Sequence, residues 1–313
     1  MFEIKLYTHT NKFEWDQFVE SSKNGTFLFK RDYMDYHADR FDDFSLMIYR
    51  KGKLYTILPA NRKEDILYSH QGLTYGGFIM SNKVTTTEIL EVVQETNKFL
   101  KANGVIKVIY KAIPYIYHQV PAEEDLYAIF KVSDAKIIGR NISSTIYQKN
   151  KIKFIESRKA GIRKANNNNI LISRSEDFEA FWKILNDNLQ NKYGKAPVHS
   201  LDEILLLSSR FSKNIRLYLA TCDDIPVGGT LLYITNQVIH TQYISANLAG
   251  KEMGALDLLF DHLINKEFSD YEFFDFGQST EEMGKILNES LIFQKEGFGG
   301  RGITYDIYEY KID

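Results

Sequence analysis

The sequence predicts an α/β (α+β) chain built as two tandem units, each a mixed, mostly antiparallel sheet flanked by helices. Three observations carry this expectation. The 313 residues exceed one typical domain and suit two of about 150 residues each. Hydrophobic residues make up 44% and charged residues 26%, the balance of a chain that can bury real cores. One order of elements also reads twice along the chain: antiparallel strands, an amphipathic helix, a return strand. The two copies share few identities, so this is a repeat of order rather than of sequence. The division is expected near residue 148, giving units 1–148 and 149–313.

In the first half, Asn11 and Glu14 have the spacing of a capping box and open a short helix with Trp15, Phe18 and Val19 on one side. Residues 44–49 and 54–58 read as a hairpin around Lys51-Gly52-Lys53. A glycine-dense loop from Ser69 to Gly77 follows and carries His70 and Tyr75. Thr85 and Glu88 form a second capping box. The helix behind it repeats Ile89, Val92, Val93, Thr96, Phe99 and Leu100 at the helical period, and Asn103-Gly104 ends it. Residues 105–110 return as a strand.

The junction is basic. Lys149, Lys151, Lys153, Arg158, Lys159, Arg163 and Lys164 fall between positions 149 and 164. A helix here would place Ile152, Ile155 and Ile162 on one face and the cations outward, and Asn166 to Asn169 would stop it. It reads either as a solvated connector or as a phosphate-facing surface for a nucleotide, a lipid diphosphate or tRNA. Beyond it, residues 177–189 are expected as helix. Residues 215–221, 227–233 and 238–245 read as a three-strand meander with turns at Asp223-Asp224 and Thr235-Asn236. A helix with Met253, Leu256, Phe260 and Leu263 on one face comes next. A strand at 272–277, a short helix at 286–291 and a last strand at 303–310 complete the pattern.

Several function classes are excluded on composition. A net charge of -2 gives no global attraction to nucleic acid or membrane, and DNA is not expected as a partner. Cys222 is the single cysteine, so an intramolecular disulfide and a cysteine-rich zinc site are ruled out. The opening residues lack a basic lead and a long apolar stretch, and no run of about 18 apolar residues follows, so no integral membrane segment is read and a cytoplasmic setting is expected. The seven histidines show no metal-ligand spacing, and no metal is expected. The 14% of aromatic residues serves either core packing or stacking on a sugar or peptide.

Three stretches carry a resemblance. Ser157-Arg158-Lys159-Ala160-Gly161-Ile162-Arg163-Lys164-Ala165 is similar to the R-x-x-I-R-K-A helix that opens the second domain of Fem-type aminoacyltransferases. Asp275-Phe276-Gly277-Gln278-Ser279, then Asn288, Leu291 and Phe293-Gln294-Lys295 with Phe298-Gly299-Gly300, resembles their strand, asparagine and F-K-x-x-F-G-G run. Lys111 to Asp125, with Ile113-Pro114, Tyr117-His118 and Pro121, resembles their domain junction. The meander, helix and return strand are also the order of an acetyltransferase domain. The chain is therefore identified as similar to the GNAT acetyltransferase superfamily, tandem-domain Fem type. The resemblance implies an N-acyltransferase or aminoacyltransferase acting on an amine of a cell-envelope or surface-glycan precursor, small or lipid-linked. It implies acyl-CoA as donor, or aminoacyl-tRNA, with tRNA then a partner. One departure stands out. Acetyltransferases hold the coenzyme A pyrophosphate with an R/Q-x-x-G-x-G/A loop at a helix N-terminus. Here the place reads Gly250-Lys251-Glu252-Met253-Gly254-Ala255, without Gly-x-Gly and with a wrong-sign Glu252. Gly250, Gly254 and Ala255 are the donor-binding candidates. The departure equally suits a non-catalytic binding or scaffold protein with a decayed site.

Acyl transfer needs a neutral amine, a polarised carbonyl and alignment of the two. His199 can serve as general base or substrate contact, or have a structural role. Asp275, Gln278 and Ser279 sit at the C-terminal end of a strand, where open α/β sheets place ligands; alternatively Ser279 and Glu282 cap the next helix. His199, Gln278 and Ser279 are the candidates for orienting the amine or leaving group. Arg163, Lys164 and Lys295 would hold anionic parts of substrate, and Asp275, Asn288, His70 and Tyr75 would contact it. His118 reads as a packing group, Gly299-Gly300 as a tight turn and Cys222 as inert.

Overall fold

A computed structural model describes residues 2–312. The chain divides into two compact units, one of residues 1–141, 280–286 and 304–313, the other of residues 142–279 and 287–303.

The first unit holds an antiparallel sheet in the order Phe2–Leu6, Leu46–Arg50, Lys53–Leu58, Ile79–Met80. Lys51 and Gly52 take positive φ at its hairpin turn, as the tight connection requires. A second set of strands centres on Lys107–Lys111, which pairs antiparallel with residues 307–311 and parallel with Ile66–Tyr68. The helix Thr86–Ala102 carries the Thr85/Glu88 capping box and buries Ile89, Val92, Val93, Thr96 and Leu100. These apolar groups meet Leu46, Ile48, Val108 and Tyr110 in one core.

The second unit is a meander of Leu171–Ser175, Ile215–Cys222, Ile225–Ile234 and Val238–Ala246. Phe273–Gln278 joins it parallel to Val238–Ala246, and residues 143–147 pair antiparallel on its far side. Because a strand alternates faces, Ile244 packs with the cluster formed by Leu259, Phe260 and Leu263. Ser245 instead accepts from Asn188 Nδ2 at 2.7 Å, on the helix Phe178–Tyr193. Helix Glu156–Asn167 joins Ala255–His262 through Ala165, Ala255 and Leu258.

Five local expectations are corrected. Asn11 caps no backbone amide; its Oδ1 accepts from Thr8 Oγ1, and Glu14 is taken by the Tyr49 hydroxyl at 2.7 Å. The basic helix starts only at Glu156, so Ile152 and Ile155 precede it and are largely exposed. The helix expected on Met253, Leu256, Phe260 and Leu263 is broken at Gly254, whose φ is +75°. Ser279 caps no helix: residues Thr280–Glu281 are extended, and Glu282 and Met283 take positive φ. The helix placed at 286–291 is Glu289–Glu296, capped by Asn288, while Ile286–Leu287 is a short strand.

Candidate active site

The second unit holds a cavity of about 540 Å³, well within the range of small-molecule sites. It opens where two parallel strands part. Val238, Ile239 and His240 pair with Phe273, Phe274 and Asp275, and the pairing then ends. Ile244, Ser245 and Ala246 of one strand and Phe276 of the other line the cavity. Gly277, at φ +73°, a conformation that a Cβ disfavours, lies where the second strand shifts register against residues 143–147. Helices close the sides: Leu185 and Leu189 come from Phe178–Tyr193, Leu256 and Phe260 from Ala255–His262, and Leu291 from Glu289–Glu296.

Four cations line this space, Arg158, Lys192, Lys251 and Lys295, and no carboxylate does among the described lining residues. Lys295 is nearly inaccessible. Its Nζ donates to Gly277 O at 2.8 Å, Gln278 O at 2.9 Å and Ser279 Oγ at 2.9 Å. Burial brings its pKa down to about 8, against the opposing pull of the Asp275 charge. Lys295 is thus poised to hold or release a proton near neutral pH. Asn288, at the start of the same helix, donates its N–H to Ser279 O at 2.9 Å. The structure therefore brings Gln278, Ser279, Asn288 and Lys295 into one cluster.

Asp275 precedes Gln278 on the same strand. It is fully buried and accepts from Ser143 Oγ, from Thr145 Oγ1 at 2.8 Å and from His240 Nδ1 at 2.8 Å. Burial pushes its carboxyl up, but the His240 contact and the two hydroxyls outweigh this and set it at about 2. A carboxylate acceptor fixes the His240 proton on Nδ1.

The other candidates lie elsewhere. His199 is buried against Tyr243, whose hydroxyl lies 2.7 Å from Nδ1. It does not line the cavity. Gly250 donates its N–H to Asn247 Oδ1 at 2.8 Å, and a Cβ there would fall 2.2 Å from Val227 O. At Gly254 a Cβ would fall 2.5 Å from Gly161 O, and Ala255 is core. These three hold a close-packed turn whose contribution to the cavity is Lys251. Arg163 and Lys164 are exposed on their helix. His70 and Tyr75 belong to the first unit. His70 is buried beside His37 and Phe41 with its pKa driven down to about 3 by burial. Tyr75 packs on Phe29 and Tyr117. His118 is a buried packing group bonded to Ile113 O at 3.1 Å.

Sequence reasoning missed Lys251 and His240 as site residues, and named Arg158 only among the cations of the basic junction. Arg158 stands four residues before Ile162, which packs on the core, and so shares its helical face. Its Nη1 donates to Asp257 at 2.6 Å and its guanidinium lies 5.1 Å from the Phe298 ring centre. His240 had no local signal, since its partner is 35 positions away.

Residues 156–283 match the acetyltransferase (GNAT) domain family. Over the whole length, the fold is similar to that of FemX, with a TM-score of 0.71 at 10% identity over 99% of this chain and 97% of that one. It is also similar to the C-terminal domain of a protein assigned as a lysylphosphatidylglycerol synthetase from Agrobacterium fabrum, with a TM-score of 0.60 at 10% identity over 98% and 92%. A tandem GNAT protein from the clavulanic acid biosynthesis pathway gives 0.51 at 8% identity over 100% and 99%. No curated protein matches in sequence at a significant level.

Proposed function

We propose that this chain, a tandem-domain protein of the GNAT superfamily with a Fem-like fold, is an N-acyltransferase that uses a coenzyme A thioester in its second unit. One observation carries the reading: two parallel strands part after His240 and Asp275 around a cation-lined cavity that contains the buried Lys295. Backbone groups of the parted strands can grip an extended donor arm. Lys251 and Lys192 offer charge to its phosphates. In the transfer, the amine nitrogen bonds to the thioester carbon, the C–S bond breaks and the thiol leaves with the proton. Protonated Lys295, whose three N–H groups go to Gly277 O, Gln278 O and Ser279 Oγ, would act through its buried charge, favouring the negative charge that develops on the carbonyl oxygen. Ser279 and the Gln278 carbonyl position that ammonium, and Asp275 supplies the charge that keeps it from losing its proton below pH 8.

The acceptor we propose is an amine on a cell-envelope precursor. The Fem-like fold and the likeness to a domain assigned to lysylphosphatidylglycerol synthesis support this choice. Arg163 and Lys164, exposed on the helix Glu156–Asn167 that brings Arg158 to the cavity, remain proposed contacts for its anionic part. No helix is long and apolar enough to cross a membrane among the described residues.

A second reading, a non-catalytic scaffold, draws on the Gly250–Ala255 turn, whose glycine amides are bonded within the protein. Thermal shift with acetyl-coenzyme A, followed by thiol release in the presence of an amine panel, separates the two. A site occupied at 100 times Kd adds about 2.7 kcal/mol of stability. Lys295→Met should keep the shift and lose thiol release. Absence of both shift and release in the wild type would leave the scaffold.

A further inference from the structure

The cavity is built for more than an acetyl group. Leu185, Leu189, Leu256, Phe260, Phe276 and Leu291 form a continuous apolar wall on four elements. Its polar edge carries Arg158, Lys192, Lys251 and Lys295, without a carboxylate among the described lining residues. Arg158 is balanced from behind by Asp257, and Lys251 is oriented by Asn188 Oδ1 at 2.8 Å. A ligand that suits both edges has an anionic end and an uncharged apolar end.

We infer that the donor carries an aliphatic acyl chain of several carbons on a phosphopantetheine thioester, with the chain seated on the leucine and phenylalanine wall and the phosphates at Lys192 and Lys251. This rests on the thioester reading above and narrows it. An aminoacyl donor fits poorly for an electrostatic reason. Its α-ammonium would enter a space whose described lining charges are all positive, and like charges repel. An acetyl group would leave the wall uncovered.

The same phosphopantetheine chemistry arrives either on coenzyme A or on the prosthetic arm of an acyl carrier protein, so both are tested. Calorimetric titration of the full chain with non-hydrolysable thioether analogues needs no acceptor. The series runs from unacylated coenzyme A through acetyl, butyryl, hexanoyl and octanoyl forms, with a seryl analogue as the aminoacyl control. A parallel series uses the same chains on a carrier protein. Each buried methylene should tighten binding about fourfold until the wall is covered. Leu189→Trp should stop this gain at a shorter chain, and the wild-type series stands if that variant misfolds. Coenzyme A and every acyl form binding equally would overturn the chain inference while leaving the thioester reading intact. A seryl analogue binding more tightly than the butyryl one would overturn it too. Failure of unacylated coenzyme A and of every carrier-linked form to bind would instead remove the thioester reading itself. A gain seen only on the carrier protein would support the inference with that carrier as source.

Discussion

His240 and Asp275 stand at matched positions of two parallel strands, with Nδ1 donating to the carboxylate over 2.8 Å. They occupy the last paired step before the strands separate around the cavity. A buried carboxylate with three donors is stable only as the anion, so this pair fixes the geometry at the point of parting.

The Asp275 carboxyl is held at about 2 against an ordinary 3.8. Its folded pKa is depressed, so the associated stability is present above pH 4 and is lost as pH falls through 2. The shift corresponds to about 2 kcal/mol at pH 7. Asp275→Asn should lower the unfolding free energy by at least that amount at pH 7 in urea titrations. The gap to wild type should narrow below pH 4. Equal stability of the two proteins at pH 7 would contradict the proposed role of the anion.

Two buried lysines predict a second rise of stability with pH, in the alkaline range. Lys111 Nζ donates to Leu73 O at 2.6 Å and Gln71 O at 3.1 Å, and burial brings its pKa, like that of Lys295, down to about 8. Between pH 8 and 10 the unfolded chain keeps protons that the folded protein has given up, so stability should rise with pH. Each lysine contributes roughly 2–3 kcal/mol over this window. Lys111→Met and Lys295→Met should each flatten the rise in denaturant titrations at pH 7.5, 9 and 10. For catalysis, thiol release should decline above pH 8 as Lys295 loses its proton. A rate that climbs through pH 9 would assign the polarising role elsewhere.

The regular parts of this fold were legible because they rest on local rules. The Thr85/Glu88 box, the periodic face of Thr86–Ala102 and the three-strand meander all follow from spacing within one element. What failed was competition between partners. Glu14 and Ser279 have capping-box spacing, yet the Tyr49 hydroxyl takes one and Lys295 takes the other. A true box at Ser200/Glu203 was readable by the same rule and went unread. Lys295, Gln278, Ser279 and Asn288 came from the family resemblance, and the fold gathers them. His240 with Ser143 and Thr145 depended on strand register, which no local pattern encodes.

Gly254 separates a packing requirement from a conformational one. Its φ is +75°, and a Cβ would lie 2.5 Å from Gly161 O. Gly194 has φ +61° with nothing within 4 Å. Gly194→Ala should therefore cost only the left-handed penalty, about 1 kcal/mol. Gly254→Ala must also push apart the helices that meet there, and should cost several times more in melting experiments. It should also weaken coenzyme A binding, because Lys251 lies on the turn it displaces. Similar costs for the two variants would show that the Gly161–Gly254 approach is soft.

The last prediction divides the basic helix by face. Arg163 is exposed and does not line the cavity. Arg163→Gln should change stability by no more than about 0.5 kcal/mol and leave coenzyme A affinity unchanged at every salt concentration. Arg158 faces inward. It pairs with Asp257 at 2.6 Å, and its Nε is buried without a hydrogen-bond partner. Burial already raises the Asp257 carboxyl, with Arg158 opposing that rise. Arg158→Gln therefore leaves a buried carboxylate uncompensated, at a cost of about 3 kcal/mol. Instability alone would weaken binding, so a second variant is required. Arg158→Gln with Asp257→Asn removes both charges and should recover most of the stability. If Arg158 only holds Asp257, the double variant binds coenzyme A as wild type does. If the guanidinium also serves the donor, affinity stays low in the double variant, and its dependence on salt becomes shallower by about one charge contact. Calorimetry across a salt series reads the two outcomes directly, and full recovery of affinity would take Arg158 out of the donor site.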